Sequence, residues 1–286
     1  MYNGIPNYLG ATLSLTSLIK ANRHYRMAVK THTERPKLPK QDLILSEPGS
    51  KRHGLLGTAF DYLVGFTLEH LNRNLVQPRT TLIAERALSI LKAQARTPTA
   101  REHILSAQRA LAHCMNQATT YVESGNLTRE FVASIIQIAQ LDQIYRAGVM
   151  PRLPLARASK ANIADLMALY ERMPMDLLKA KKEVYVAPDF GMMSNLVGGA
   201  DADFILDGRL IDTKTTVDPT ITLEMWCQVI GYYLLNRLES GAGGRQIEVH
   251  SLGFYFARYG AFVEIDVADS ITDPDYLTDC LLRSLG

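Results

Sequence analysis

Asp203, Asp212 and Lys214 lie close together in the sequence DFILDGRLIDTK, which spans residues 203–214. The Asp207-Gly208 pair in its middle is flanked by short apolar runs, and this pattern predicts a β-hairpin. Because side chains alternate along a strand, we expect Asp212 and Lys214 to face the same side of the hairpin. The pattern therefore predicts a divalent-metal site with a lysine beside it.

Asp203 supplies the second carboxylate, because it lies at the entry of the partner strand and can reach the side of Asp212 and Lys214. Thr213 is expected to face the opposite side and to contribute its backbone carbonyl oxygen. Mg²⁺ prefers hard oxygen ligands and keeps several waters, so two carboxylates and one carbonyl suffice to hold it. Such an ion polarises a phosphoryl oxygen, while Lys214 positions water or stabilises charge developing on phosphorus. The alternative is that these residues are solvated charges on an exposed hairpin.

A second pair of polar residues follows on a predicted helix, which spans residues 222–239. Gln228 and Tyr232 are four positions apart and are therefore expected on one face of this helix. For Tyr232 the alternative is packing in the core beside Trp226 and Tyr233.

The order and spacing of the Asp-x-Lys and Gln-x-x-x-Tyr motifs resemble those of the PD-(D/E)xK nuclease superfamily, in its RecB-type branch. The resemblance covers residues 183–266, about a third of the chain. It implies that Asp203 and Asp212 are metal ligands and that Lys214 is the catalytic lysine. It also implies a mixed α/β fold, with a central mixed sheet of the restriction-endonuclease-like type, flanking helices and a large helical insertion.

The same resemblance implies that Gln228 and Tyr232 line the site and contact the nucleic acid strand. The family also expects a carboxylate or a histidine from a helix ahead of the sheet, often four residues after a glycine. Gly57 and Asp61 have this spacing, on a helix predicted to reach Asn72. We therefore expect Asp61 to complete the metal site. The alternative is that Asp61 lies in the first turn of this helix and only complements its dipole.

Glu69 and His70 lie two turns further along this helix and compete with Asp61 for the same role. Asp61 and Glu69 are about 80° apart around a helix, so they cannot be aimed equally well at one ion. Glu69 also has Arg73 four positions later, which predicts an ordinary surface pair. Glu183, at the start of another predicted strand, is expected to be a charge on the edge of the sheet rather than a further acid of the site.

The chain divides into four predicted segments. We expect an N-terminal helix and basic loop at residues 1–56, a core helix at 57–80, an almost wholly helical subdomain at 81–182, and the nuclease-like core at 183–286. At 286 residues and 47% apolar composition, the chain can bury a substantial core.

A net charge of +2 is too small for a general polyanion-binding protein, so contacts with nucleic acid must come from local clusters. Residues 35–52 contain such a cluster, with Arg35, Lys37, Lys40, Lys51 and Arg52. Lys51 and Arg52 lead directly into the helix of Gly57, and we expect them to bind substrate phosphates. The alternative is that the basic residues of this loop are solvated charges.

The sequence also narrows the setting of the protein. Its three cysteines are widely separated and odd in number, which favours a reducing, intracellular (cytoplasmic) location and excludes the four-cysteine iron–sulfur cluster of some RecB-type nucleases. No apolar run reaches membrane-spanning length, so no membrane partner is expected. The chain has no Gly-x-x-x-x-Gly-Lys-(Ser/Thr) motif, so we expect action on ends or single strands, or a separate motor or recombination partner.

The resemblance therefore implies a nuclease that hydrolyses phosphodiester bonds in DNA with Mg²⁺ or Mn²⁺, as an exonuclease-like enzyme or an endonuclease. Phage or antiviral defence biology is the setting that this analogy favours. One alternative is a non-catalytic module with a nuclease-like fold that binds nucleic acid or protein. Another is an RNA-directed nuclease.

Overall fold

A five-stranded sheet with helices on both faces forms the described part of the computed structural model, residues 14–38, 46, 48–49, 52–77, 81–94, 96–147, 154–245 and 247–285. The strands are β1 (Val184–Val186), β2 (Phe204–Leu206), β3 (Arg209–Lys214), β4 (Ser251–Phe256) and β5 (Ala261–Asp266). The helices are α1 (Leu15–Ala21), α2 (Arg23–His32), α3 (His53–Leu71), α4 (Ile83–Gln94), α5 (Pro98–Ser124), α6 (Arg129–Ile138), α7 (Asp142–Ala147), α8 (Lys160–Glu171), α9 (Gly191–Leu196), α10 (Leu223–Gly241), α11 (Val267–Ser270) and α12 (Pro274–Arg283). The predicted mixed α/β class is confirmed, while the restriction-endonuclease-like type stays a prediction.

The strands lie in the order β1-β2-β3-β4-β5. β3 and β4 run parallel, and the other neighbouring pairs are antiparallel. Parallel neighbours cannot be joined by a tight turn, so α10 makes the crossover between them. Thr222 begins this helix, because its side-chain oxygen accepts a hydrogen bond from the amide of Met225 at 3.2 Å. The predicted helix at 222–239 is confirmed, with an end two residues later.

The hairpin of β2 and β3 has the turn that its sequence predicts. Asp207 and Gly208 have φ values of 49° and 79°, and a two-residue type I′ turn requires positive φ at both positions. The Asp207 carboxylate accepts hydrogen bonds from the amides of Lys181 and Lys182, each at 2.7 Å. Burial acts to raise the pKa of Asp207, but these backbone hydrogen bonds bring it below its ordinary value. The turn is therefore fixed by contacts from outside the hairpin.

Each face of the sheet carries its own hydrophobic core. Helices α3 to α8 pack on one face, and α1, α2, α10 and α12 pack on the other. Ile211 of β3 belongs to the first core and its neighbour Leu210 to the second. The helices of residues 81–182 thus share one core with α3 and the sheet. Among the described residues, no helix is long and apolar enough to cross a membrane.

α3 lies close against the sheet because of two glycines. A Cβ atom on Gly65 would be 2.8 Å from Val186 Cγ1, and one on Gly57 would be 3.3 Å from Thr215 Oγ1. Asp61 is four residues from each glycine and therefore lies on the same face of the helix. This packing directs Asp61 toward the end of β3.

α3 also begins earlier than the sequence predicts. Its first residue is His53 and its N-cap is Arg52, which makes no side-chain capping hydrogen bond. Gly57 therefore lies inside the helix, and Asp61 lies in the third turn. The alternative that Asp61 complements the helix dipole from the first turn was wrong, since that effect is confined to the terminal turn.

The predicted N-terminal helix is two helices, α1 and α2, separated by Asn22. The Asn22 side chain accepts a hydrogen bond from the amide of Tyr25 at 2.9 Å and thereby begins α2.

Candidate functional site

Two of the predicted acids, Asp61 and Asp203, meet at the carboxyl end of β3, at the hydroxyl of Thr213. This hydroxyl lies 2.6 Å from Asp61 Oδ1 and 2.7 Å from Asp203 Oδ2. The amide of Thr213 donates a further hydrogen bond to Asp203 Oδ2, at 2.5 Å. A hydroxyl has one proton to donate, so two carboxylates share one donor at this point.

The expectation that the Thr213 side chain lies on the side away from Asp203 was therefore wrong. Alternation along β3 does direct its side chain to the α3 face of the sheet, next to Ile211. However, Asp61 approaches from α3 on that face, and the Asp203 carboxylate reaches the same hydroxyl. The acids of the site thus surround the end of the strand from more than one side.

Asp212 and Lys214 form a largely buried ion pair through Oδ2 and Nζ, with side chains 4% and 19% exposed. Burial acts to lower the pKa of Lys214, but the carboxylates of Asp212, Asp203 and Asp61 raise it above its ordinary value. The lysine is therefore an ammonium at neutral pH, able to donate hydrogen bonds but not to take up a proton. The alternative that Asp212 and Lys214 are solvated charges on an exposed hairpin is therefore wrong.

Asp61 and Asp203 line a small cavity of about 50 Å³, together with two residues that the sequence reasoning missed. One is Asp201, two positions before Asp203, whose signal in the sequence was the Asp-x-Asp spacing. The other is Arg86 of α4, which forms an ion pair with Asp189 at 2.9 Å. No local motif marks Arg86, because only the packing of the helical region brings it here.

Gln228 and Tyr232 contact each other on α10, as their spacing predicts. The Gln228 amide donates a hydrogen bond to the Tyr232 hydroxyl at 2.8 Å. The Tyr232 ring is buried, 6.0 Å from the ring of Phe190. The ring therefore packs in the core, whereas the hydroxyl makes a polar contact with Gln228. Both residues line a second cavity of about 240 Å³, and Asp201 lines both cavities.

The competing residues on α3 point elsewhere. His70 Nδ1 is 2.8 Å from the carbonyl oxygen of Val122, and its ring lies 5.8 Å from that of Tyr121. Among the described residues, the lining of the cavity with Asp61 includes neither Glu69 nor His70.

Glu183 lies just before β1 at the edge of the sheet, as expected. Its Oε2 accepts a hydrogen bond from the Tyr185 hydroxyl at 2.8 Å, and that hydroxyl is also 3.0 Å from Arg245 Nη2. Glu183 therefore takes part in a network on β1 rather than in the contacts around Thr213.

The two predicted phosphate-binding residues precede α3. Arg52 is exposed at the start of this helix, nine residues before Asp61, which corresponds to about 13 Å along the helix axis. Lys51 lies outside the described residues.

The residues at the end of β3 have the right chemistry for a hard divalent cation, but they do not form a coordination shell. No three His, Cys, Asp or Glu side chains converge on one point in the described ranges of the chain. Asp61 and Asp203 instead bond to Thr213, and Asp212 pairs with Lys214. Three carboxylates and one ammonium give these four side chains a combined charge of −2 when all are ionised. Oxygen donors with that charge are what Mg²⁺ and Mn²⁺ prefer.

Comparisons of the chain with protein-family models, with curated proteins and with solved structures give no match. The resemblance to the PD-(D/E)xK superfamily therefore depends on the motif residues themselves.

Proposed function

We propose that the protein is a metal-dependent nuclease that hydrolyses phosphodiester bonds in DNA at the end of β3. The observation that carries the proposal is the meeting of Asp61 and Asp203 at Thr213, directly beside the Asp212–Lys214 ion pair. Asp61 and Thr213 are 152 positions apart in the chain, so their contact is made by tertiary packing.

The burial of Asp212 and the partial burial of Asp61, Asp203 and Lys214 support a catalytic role. Removing a charged group from water costs several kcal/mol, and the attraction within an ion pair often fails to repay that cost. Residues that only attract a polyanion would lie in solvent, where phosphates can reach them. Lys214 is instead held among carboxylates. An ammonium in that position can stabilise a phosphate that is brought to a metal ion bound by the carboxylates.

In this proposal Asp61, Asp203 and Asp212 would hold Mg²⁺ or Mn²⁺, which polarises a phosphoryl oxygen and lowers the pKa of bound water. Lys214 would donate hydrogen bonds to the attacking water or to the charge that develops on phosphorus, and would thereby serve as an electrostatic stabiliser.

Gln228 and Tyr232 would bind the nucleic acid strand beside the reacting phosphate. Their amide and hydroxyl are neutral hydrogen-bonding groups at a cavity that shares Asp201 with the acidic cavity. Neutral donors suit the orientation of a strand and add little to the binding of a cation. The chain has no motor motif, so we infer action on ends or single strands, or with a partner that opens the duplex.

A cleavage assay tests the proposal. The wild-type protein is incubated with labelled single-stranded, double-stranded and flapped DNA and with RNA, in Mn²⁺, in Mg²⁺ and in EDTA. We expect cleavage of DNA that requires the metal and is lost in Lys214→Met. Asp218→Asn is the control, because Asp218 is an exposed acid near β3 whose carboxylate accepts hydrogen bonds from Thr220.

Two results would overturn the proposal. Binding of nucleic acid without cleavage under any metal condition would favour the non-catalytic module. Metal-dependent cleavage of RNA alone would favour the RNA-directed nuclease.

A further inference from the structure

Arg258 and Asp165 form an ion pair that is sealed inside the protein, with side chains 1% and 0% exposed. The pair is bidentate, with Nη1 3.0 Å from Oδ1 and Nη2 3.3 Å from Oδ2. Arg258 lies two residues after β4, and Asp165 lies on α8. The pair therefore joins the sheet to the helical region.

Both side chains also bind backbone groups of other segments. Arg258 Nε donates to the carbonyl oxygen of Thr215 at 2.9 Å, and its Nη1 donates to that of Ser46 at 3.1 Å. Asp165 Oδ2 accepts from the amide of Gly49 at 3.0 Å. One ion pair thus fixes backbone positions in two segments that are far apart in the chain.

One of these two segments adjoins a residue of the proposed active site, and the other precedes the helix that carries such a residue. Thr215 directly follows Lys214. Ser46 and Gly49 precede α3, the helix that carries Asp61. The first segment also lies against α3 itself, because the Thr215 side chain is next to Gly57 of that helix.

Stability alone does not account for such a pair. Replacing a buried ion pair with well-packed apolar residues is often neutral or stabilising. Apolar residues cannot, however, bind two carbonyl groups and one amide at fixed positions. A planar guanidinium holds several acceptors in a rigid arrangement, which a lysine ammonium cannot reproduce.

We propose that Arg258 is a positioning residue for the reaction at Lys214, and that Asp165, through Arg258, makes the helical region part of the active-site scaffold. This inference rests on the proposed nuclease function. Neither residue is among the groups around Thr213. Both therefore act by holding Thr215, at the end of β3, close to Ser46 and Gly49.

The test replaces the pair with apolar residues of similar size, Arg258→Met with Asp165→Leu. The matched control is Arg209→Met with Glu264→Leu, which removes a bidentate pair of 2.5 and 2.8 Å at the opposite end of β3. Arg258→Lys, which keeps the charge but loses the fork, is the third variant. The measurements are kcat and KM on single-stranded DNA with Mn²⁺, circular dichroism at the assay temperature, and hydrogen exchange of the Thr213 amide.

We expect the apolar pair to stay folded but to lose at least about tenfold in kcat, since small displacements in an active site are that costly. KM should change by less than about twofold, because substrate binding groups are untouched. The Thr213 amide, which bonds to Asp203 and not to the pair, should exchange faster. Arg258→Lys should have a kcat and a Thr213 exchange rate between those of this variant and the wild type. The control pair should keep the wild-type kcat and the wild-type exchange rate of the Thr213 amide.

Unchanged kcat and unchanged Thr213 exchange in the folded apolar variant would overturn the inference. If that variant does not fold, Arg258→Lys decides by the same two criteria. If the wild type itself cleaves nothing, the proposed function fails, but exchange at Thr213 still decides whether the ion pair positions the end of β3.

Discussion

The hydroxyl of Thr213 lies 2.6 Å from Asp61 Oδ1, although 152 positions separate the two residues in the chain. This contact joins α3 to the end of β3 and brings one acid of the site to the others. It depends on the close approach of α3 to the sheet at Gly57 and Gly65. The site is thus a product of helix–sheet packing as much as of the Asp-x-Lys motif.

Lys214→Ala should abolish most of the cleavage and leave metal binding intact. Removing one electrostatic stabiliser of a transition state costs about 10²- to 10³-fold in kcat. An ammonium is not a metal ligand, and its loss makes the site more negative, so the affinity for Mn²⁺ should be equal or higher. Single-turnover kinetics and calorimetric titration with Mn²⁺ measure the two quantities.

Asp212→Ala is the comparison for Lys214→Ala, since it should lose both cleavage and Mn²⁺ binding. Matched circular dichroism spectra control for the buried charge that each substitution leaves behind. Turnover at the wild-type rate in either folded variant would contradict the assignment.

Asp61→Ala should raise the Mn²⁺ concentration needed for half-maximal cleavage by at least about tenfold, because disturbing the ligand set of a metal site has effects of that size. Glu69→Ala should leave the metal curve in place and cost a few tenths of a kcal/mol in stability. A shifted curve for Glu69→Ala with none for Asp61→Ala would mean that the wrong acid has been assigned.

Tyr232→Phe keeps the ring that packs against Phe190 and removes only the hydroxyl that accepts from Gln228. Loss of one hydrogen bond to a strand corresponds to about a two- to tenfold rise in KM. Affinity for Mn²⁺ should not change in this variant or in Gln228→Ala. If cleavage at limiting substrate keeps its full rate in Tyr232→Phe, the residue is core packing alone.

Gly65→Ala should destabilise the protein by about 1–3 kcal/mol, because the new methyl group would overlap Val186 and push α3 from the sheet. Gly54→Ala in the same helix is the control, since nothing lies within 4 Å of its added Cβ. That substitution should be neutral or stabilise by up to about 1 kcal/mol. Urea unfolding measures both, and equal midpoints for the two variants would contradict close packing at Gly65.

The stability that Lys214 contributes should depend on pH in one direction. Its pKa is raised in the folded protein, so the folded state holds the proton more tightly than the unfolded state, whose lysine has the ordinary value of 10.5. The contribution is complete below that value and is lost as pH rises through the folded pKa. The free-energy difference between wild type and Lys214→Met should therefore be constant from neutral pH to about pH 9.5 and shrink above about pH 10.5. A free-energy difference that grows above about pH 10.5 would contradict a raised pKa of Lys214 in the folded protein.

Local chemistry made the hairpin and α10 predictable. Asp207-Gly208 specifies a turn with positive φ, and Thr222 offers a capping oxygen at the start of α10. The start of α3 was not predictable in this way, because Arg52 makes no capping hydrogen bond with its side chain. The roles of Thr213 and Arg86 depend on where helices dock on the sheet. No spacing within the sequence specifies that docking.

We propose that the residues around Thr213 cleave DNA with a divalent metal. The most direct measurement is a single-turnover time course on end-labelled single-stranded DNA with Mn²⁺, for the wild type and for Asp203→Asn. We expect cleavage by the wild type that EDTA stops and that Asp203→Asn lacks, although both proteins have the same circular dichroism spectrum. Equal cleavage by the two proteins, or none by the wild type on any DNA substrate, would contradict it.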